Sequence, residues 1–121
     1  MTDSLNLDVS DRNSLGTRVT IAASGLAIVR LTGRLDAVDS PELRRRLEGD
    51  DVVGCAIIVI DLSAVTFVDS AGLAVLVWLR RRSRAQGGDV VLVRPDLAEA
   101  MRVFRLTQFD QVFRMLPYSD R

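Results

Sequence analysis

Residues 57–79 constrain the chain most, because they change hydrophobic period within a few positions. Ile57-Ile58-Val59-Ile60 is apolar, β-branched and of strand length, the composition of a strand buried on both faces. A short crossing segment, Asp61-Leu62-Ser63-Ala64-Val65-Thr66-Phe67-Val68, follows the run. Asp69-Ser70 then stands before Leu73-Ala74-Val75-Leu76-Val77-Trp78-Leu79. An Asp or Ser ahead of an apolar run signals a helix start, since its oxygen accepts from free first-turn amides. A strand thus delivers a carboxylate and a hydroxyl to a helix N-terminus, whose partial positive charge suits anions, phosphate included.

Two absences narrow the chemistry. The chain has no His, and all 16 of its basic residues are Arg, so Lys is absent too. That removes Ser-His-Asp and Cys-His catalysis, Ser-Lys dyads, Schiff bases, His-ligated metals and the lysine of a Walker loop. An enzyme would need Ser70 as nucleophile beside Asp36 or Asp61, with no base suited to neutral pH. A ligand reading, with a nucleotide or lipid-like anion at the helix terminus, has no glycine-rich phosphate loop behind it. Net charge is zero and aromatic residues are 5% of the chain, so no nucleic-acid footprint stands out. No apolar run is long enough to span a bilayer, and the first residues lack a signal peptide's basic start and apolar core. A cytoplasmic protein without membrane insertion, metal or cofactor is expected. Cys55 is the single cysteine and is expected to pack rather than react.

In chain order, residues 1–16 read as a flexible tail, with Leu5, Leu7 and Val9 alternating as a short edge strand would. Residues 18–22 and 26–31 form a hairpin that Gly33 ends. Ser40 as cap, Pro41 and Glu42 open a first helix carrying Leu43 and Leu47 inward, closed by Gly49-Asp50-Asp51. Its Arg44-Arg45-Arg46 run is a solvated face. A central strand over 56–62, a helix over 70–85, a strand over 90–93, a helix over about 95–106 and a last strand over 112–116 follow. The expected fold is α/β, a mixed, mostly parallel sheet of about five strands packed against helices, over residues 17–116. Residues 117–121 form a C-terminal tail.

On the second helix, Leu73, Leu76, Val77 and Arg80 share the stripe expected to face the sheet. Ala71, Val75, Trp78 and Arg82 share the opposite one, where a Val and the lone Trp are out of place. Either a neighbouring helix covers Trp78, or the stripe is an apolar docking surface for a protein partner.

Three segments then fall into one pattern. Leu31-Thr32-Gly33-Arg34-Leu35-Asp36, the run from Ile60 to Leu73, and Gly87-Gly88-Asp89-Val90-Val91-Leu92 resemble, in order and spacing, the STAS domain. Within that family the chain looks most like the bacterial anti-sigma factor antagonists, over residues 17–116. The resemblance implies partner switching: the unphosphorylated antagonist binds an anti-sigma factor that is also an ATP-dependent serine kinase, and so frees a sigma factor. Phosphorylation at the start of the second helix breaks that complex. It implies a partner surface of Asp36, Asp69, Ser70, Ala71, Gly72, Val75 and Trp78, and leaves a weak homodimer open. Asp36 and Asp69 also read as a loop turn and a helix cap. The family motif reads Asp-Ser-Ser-Gly or Asp-Ser-Thr-Gly, its second hydroxyl taking the phosphate; here that position is Ala71. Three readings follow: an antagonist that phosphorylation cannot switch off, an acceptor moved to Ser70, or a STAS domain outside sigma control. The last would be a stressosome-like scaffold or the accessory subunit of a lipid-transport ATPase.

Overall fold

Five strands lie in sequence order across one sheet: β1 (Gly16–Ala22), β2 (Leu26–Leu35), β3 (Ile57–Val68), β4 (Asp89–Val93) and β5 (Arg114–Leu116). The structure is a computed structural model that describes residues 15–22 and 25–117. The Leu5–Val9 alternation and the terminal segments 1–14 and 118–121 lie outside the described residues. β1 and β2 form the expected antiparallel hairpin, and the remaining neighbours are parallel. Each parallel crossover steps the same way along the sheet. Right-handed crossovers of one direction put every connecting helix on one face. The connections are α1 (Ser40–Leu47), α2 (Asp50–Val53), α3 (Ser70–Ala85) and α4 (Ala98–Leu106).

That one-sided layering corrects the reading of the central strand. Ile58, Ile60 and Leu62 are buried under the helices, whereas Ile57 is 39% exposed and Val59 is half-buried. The run is apolar on both faces, but only one is covered. β3 also runs six residues beyond the expected end at 62. Its pairing with β2 slips twice, between Arg30 and Thr32 and between Gly33 and Arg34, each time leaving an extra residue in β3. Gly33 therefore does not end β2. Its φ of 94°, open to glycine at little cost, carries the strand through the second bulge to Leu35.

Local differences in the helices have side-chain causes. Asp39, not Ser40, precedes α1, and its carboxylate accepts from the Leu15 amide at 3.0 Å instead of capping the helix. The segment expected only to close α1 forms the single turn α2, which buries Val52. Arg46 in α1 grips Asp51 in α2 through two bonds of 3.1 and 2.9 Å, and this hydrogen bonding holds the Asp51 carboxyl below its ordinary range. α4 starts at Ala98 rather than about 95, because the Asp96 amide donates to the Ser63 carbonyl at 3.2 Å and holds the chain against the bulged strand. Leu97 is consequently 47% exposed, while Met101 and Phe104 enter the core. A 3-10 turn over Phe109–Gln111 shortens the last strand to residues 114–116. Cys55 is buried, with its thiol 3.4 Å from the Asp51 carbonyl, which is a packing environment.

Candidate functional site

The bulged end of β3 and the end of β2 place two carboxylates side by side. Asp69, in extended conformation, caps α3: its Oδ1 accepts from the Gly72 amide at 3.0 Å. Its Oδ2 reaches across to accept from the Ala37 amide at 3.1 Å. Asp36 closes a tight loop, with Oδ1 accepting from the Val38 amide at 3.2 Å and Oδ2 from Arg34 Nε at 3.3 Å. Its carbonyl accepts from both the amide (3.0 Å) and the hydroxyl (2.6 Å) of Ser40. The loop-turn and helix-cap readings of Asp36 and Asp69 both hold, and Asp69 adds a bond from helix to loop that no local pattern announces.

Gly72 allows the helix start and the loop to approach each other. A Cβ on this residue would lie 2.5 Å from the Leu35 carbonyl oxygen and 2.7 Å from Leu35 Cγ. The first turn of α3 therefore rests on the end of β2, and the Asp69 amide donates to the same Leu35 carbonyl at 3.2 Å. Asp69→Ala removes the side-chain acceptors of two backbone amides together and should lower stability by about 2 kcal/mol, one part cap and one part loop bond. Urea denaturation checks this; a loss under about 0.5 kcal/mol would show that the bonds contribute little.

This geometry revises the anion reading. The Gly72 amide that an external anion would use is already occupied by Asp69, so the helix terminus carries its own carboxylate. Ser70 is exposed, and both carboxylates weighed as its base have other partners: Asp36 is bonded to Val38 and Arg34, and Asp61 to Arg30 at 3.1 Å and the Ser63 amide at 2.9 Å. Among the described residues no group of three or more Cys, Asp or Glu side chains could hold a metal ion. None of the described helices is long and apolar enough to cross a membrane.

The expected docking stripe divides. Ala71 is half-buried, and Val75, 6% exposed, belongs to the core. Trp78 is half-buried beneath two guanidinium groups, Arg44 from α1 at 4.4 Å and Arg82 at 4.6 Å from the ring centre. Arg82 also donates to the Leu47 carbonyl at 2.8 Å, tying α3 to the end of α1. The neighbouring helix thus covers Trp78 with arginine stems and charge, as cation–π packing allows. Its other side joins Ser70, Ala74, Arg81, Thr107 and Phe109 along a groove of about 430 Å³. Sequence reading missed three exposed apolar features at this end: Ala74, Phe67 (37% exposed, under Arg34 at 4.1 Å) and Val38, which is 83% exposed. For Val38 the available signal was a large apolar side chain in the turn between Asp36 and Asp39, ahead of the helix.

The fold is thus an all-consecutive five-stranded mixed sheet with its helices on one face, in which a capped helix leans on a carboxylate-closed loop. The STAS domain sequence signature matches residues 18–120, and the chain belongs to that family. It is similar to the anti-sigma F factor antagonist of Paenibacillus polymyxa, 31% identical over 101 residues that span 79% of this chain and 80% of the other. Among solved structures, an anti-sigma factor antagonist from Mycobacterium paratuberculosis is 29% identical with a TM-score of 0.75, over 89% of this chain and 90% of that one. The antagonist SpoIIAA in its unphosphorylated form shares the fold at 18% identity, with a TM-score of 0.74 over 87% of this chain and 90% of its own. The sequence-derived resemblance and the mixed, mostly parallel fold are borne out.

Proposed function

We propose that this chain is an anti-sigma factor antagonist that works by partner switching. It binds an anti-sigma factor with serine-kinase activity through the 36–40 loop and the exposed start of α3, and so releases a sigma factor in the cytoplasm. The observation that carries the reading is the interlock of Asp36, Asp69 and Gly72, which builds one rigid surface where the family motif lies. The antagonist relatives at 29–31% identity support it. Ala71 at the family's acceptor position makes the antagonist permanently active, since an alanine offers no oxygen to phosphorylate. The role is non-enzymatic.

The test mixes the purified chain with each anti-sigma kinase encoded in its source genome, with and without ATP. Calorimetry should give a Kd of about 1 μM or tighter with one of them, equally in ATP and ADP, and mapping should find no phosphopeptide. Phosphate on Ser70 would mean that the switch survives at a shifted position. Capture of transport-ATPase subunits or a large STAS assembly, with no kinase bound, would overturn the antagonist reading.

A further inference from the structure

We infer that residues 5–9 pair antiparallel with the outer edge of β1, Leu7 opposite Val19 and Asp8 opposite Arg18, as a sixth strand that the chain itself supplies. The inference is independent of the antagonist reading and concerns how the sheet is closed. Among the described residues β1 is an edge: its seven residues pair with β2 on one side and with no strand on the other. A bare edge is a template for any extended segment, so proteins cover, charge or interrupt such strands. β1 holds no proline and a single charge, Arg18.

The two faces of β1 lack different things. Thr17, Val19 and Ile21 lie opposite the fully buried Leu31, Val29 and Ala27, so they belong to the side that the helices cover. At the edge that cover runs out. Ile21 is 45% exposed, and a recess of about 490 Å³ beside β1 and α1 has Leu15, Thr17 and Leu43 in its lining. On the other face Arg18 stands directly opposite Arg30, whose guanidinium is bonded to Asp61 at 3.1 Å. Two cations thus face each other with one carboxylate, and like charges opposite each other across a pair are destabilising. Among the described residues Arg18 makes no ion pair.

Residues 5–9, Leu-Asn-Leu-Asp-Val, carry the complement of both faces in alternation. With Leu5, Leu7 and Val9 on the helix side, Asn6 and Asp8 fall on the side of Arg18. Leu7 opposite Val19 also sets Leu5 opposite Ile21 and Val9 opposite Thr17. A slip of one residue would send all three apolar side chains to the uncovered face and Asp8 to the helix side. A slip of two keeps the faces but takes Asp8 away from Arg18. The connection, residues 10–16, contains the turn formers Ser10, Asp11, Asn13, Ser14 and Gly16. Its Leu15 amide is already held by Asp39 at 3.0 Å. A second copy pairing through the same edge would bring another Arg18 to a face already in excess of cations, where this segment brings a carboxylate.

The test is NMR of the full chain, with amide exchange, on the parent, Leu7→Asp and Asn6→Ser. The parent should show Overhauser contacts from Leu7 to Val19 and from Asp8 to Arg18 within one chain, unchanged by about tenfold dilution. Leu7→Asp should abolish them, speed exchange of the β1 amides at least about tenfold and lower the melting temperature by about 3 °C or more. Asn6→Ser, on the solvent side, should leave exchange within about twofold of the parent. Random-coil shifts over residues 5–9 with no contact to β1 would overturn the inference. So would contacts found only between differently labelled chains, which would make a second copy the occupant. Asp8 found opposite Val19 would overturn the register. No partner enters these measurements, so their failure would leave the antagonist reading untouched.

Discussion

Gly72→Val should lower the unfolding free energy by about 3 kcal/mol and the melting temperature by roughly 12 °C or more. The first atom of the new side chain would stand 2.5 Å from the Leu35 carbonyl oxygen and 2.7 Å from Leu35 Cγ. Leu35 is fully buried and its carbonyl accepts the Asp69 amide, so neither the backbone nor the side chain can swing aside. Relief requires α3 to lift from the end of β2, which breaks the Asp69 bond to Ala37 and leaves both groups without partners. Gly72→Ala carries the same clash with fewer atoms, and the helix preference of alanine offsets about 1 kcal/mol of it. The alanine variant should therefore fall between parent and valine. Thermal and urea unfolding of the three chains read this directly. A valine variant within about 1 kcal/mol of the parent would show that the contact relaxes without cost, and that the interlock of helix and loop is not rigid.

The second large effect concerns Ala71. Ala71→Ser recreates the Asp-Ser-Ser-Gly form of the family motif, and with kinase and ATP present it should become phosphorylated while the parent does not. Its affinity for the kinase should then fall by about 100-fold or more, as read by calorimetry before and after phosphorylation. A phosphate brings about −1.5 to −2 charges to a position next to Asp69 and close to the loop closed by Asp36. The helix dipole would favour that charge in the free chain, so the fold should tolerate it. The partner interface would not, because a hydrated dianion cannot be buried in a close-docked interface without losing its water. Unphosphorylated Ala71→Ser should bind like the parent, since a hydroxyl adds little volume to a half-buried helix position. A serine variant that takes no phosphate, or that binds equally well after taking it, would remove the explanation of Ala71 as the lock on a permanently active antagonist.

Much of the molecule was legible in the residues alone. The order of strands and helices, the start of α3 at Asp69-Ser70, and the inward placing of Leu43, Leu47, Leu73 and Leu76 all follow from local capping and periodicity. The family pattern, too, is carried by residues close together in the chain. Phe67 was misplaced for a physical reason: bulges arise from pairing between two strands, and neither strand's own sequence marks where an extra residue is absorbed. For the stripe through Ala71, Val75 and Trp78 the choice between a covering helix and a docking surface was likewise open in the sequence. Helical spacing groups residues on a face but does not say which neighbour covers it, and here α1 covers Trp78 while Val75 enters the core.

What sequence alone determined about this protein is therefore its architecture, its family and the lack of His and Lys, because these depend on composition and on spacings shorter than a turn or a strand. The arrangement at the proposed partner surface was decided only by tertiary structure. Asp69 and Ala37 are bonded across 32 positions of chain, and Leu35 and Gly72 touch across a gap that only glycine leaves open. Those two contacts fasten the loop after β2 to the start of α3. Neither is written in any local pattern, since a hydrogen bond between distant segments exists only once the sheet has set their separation.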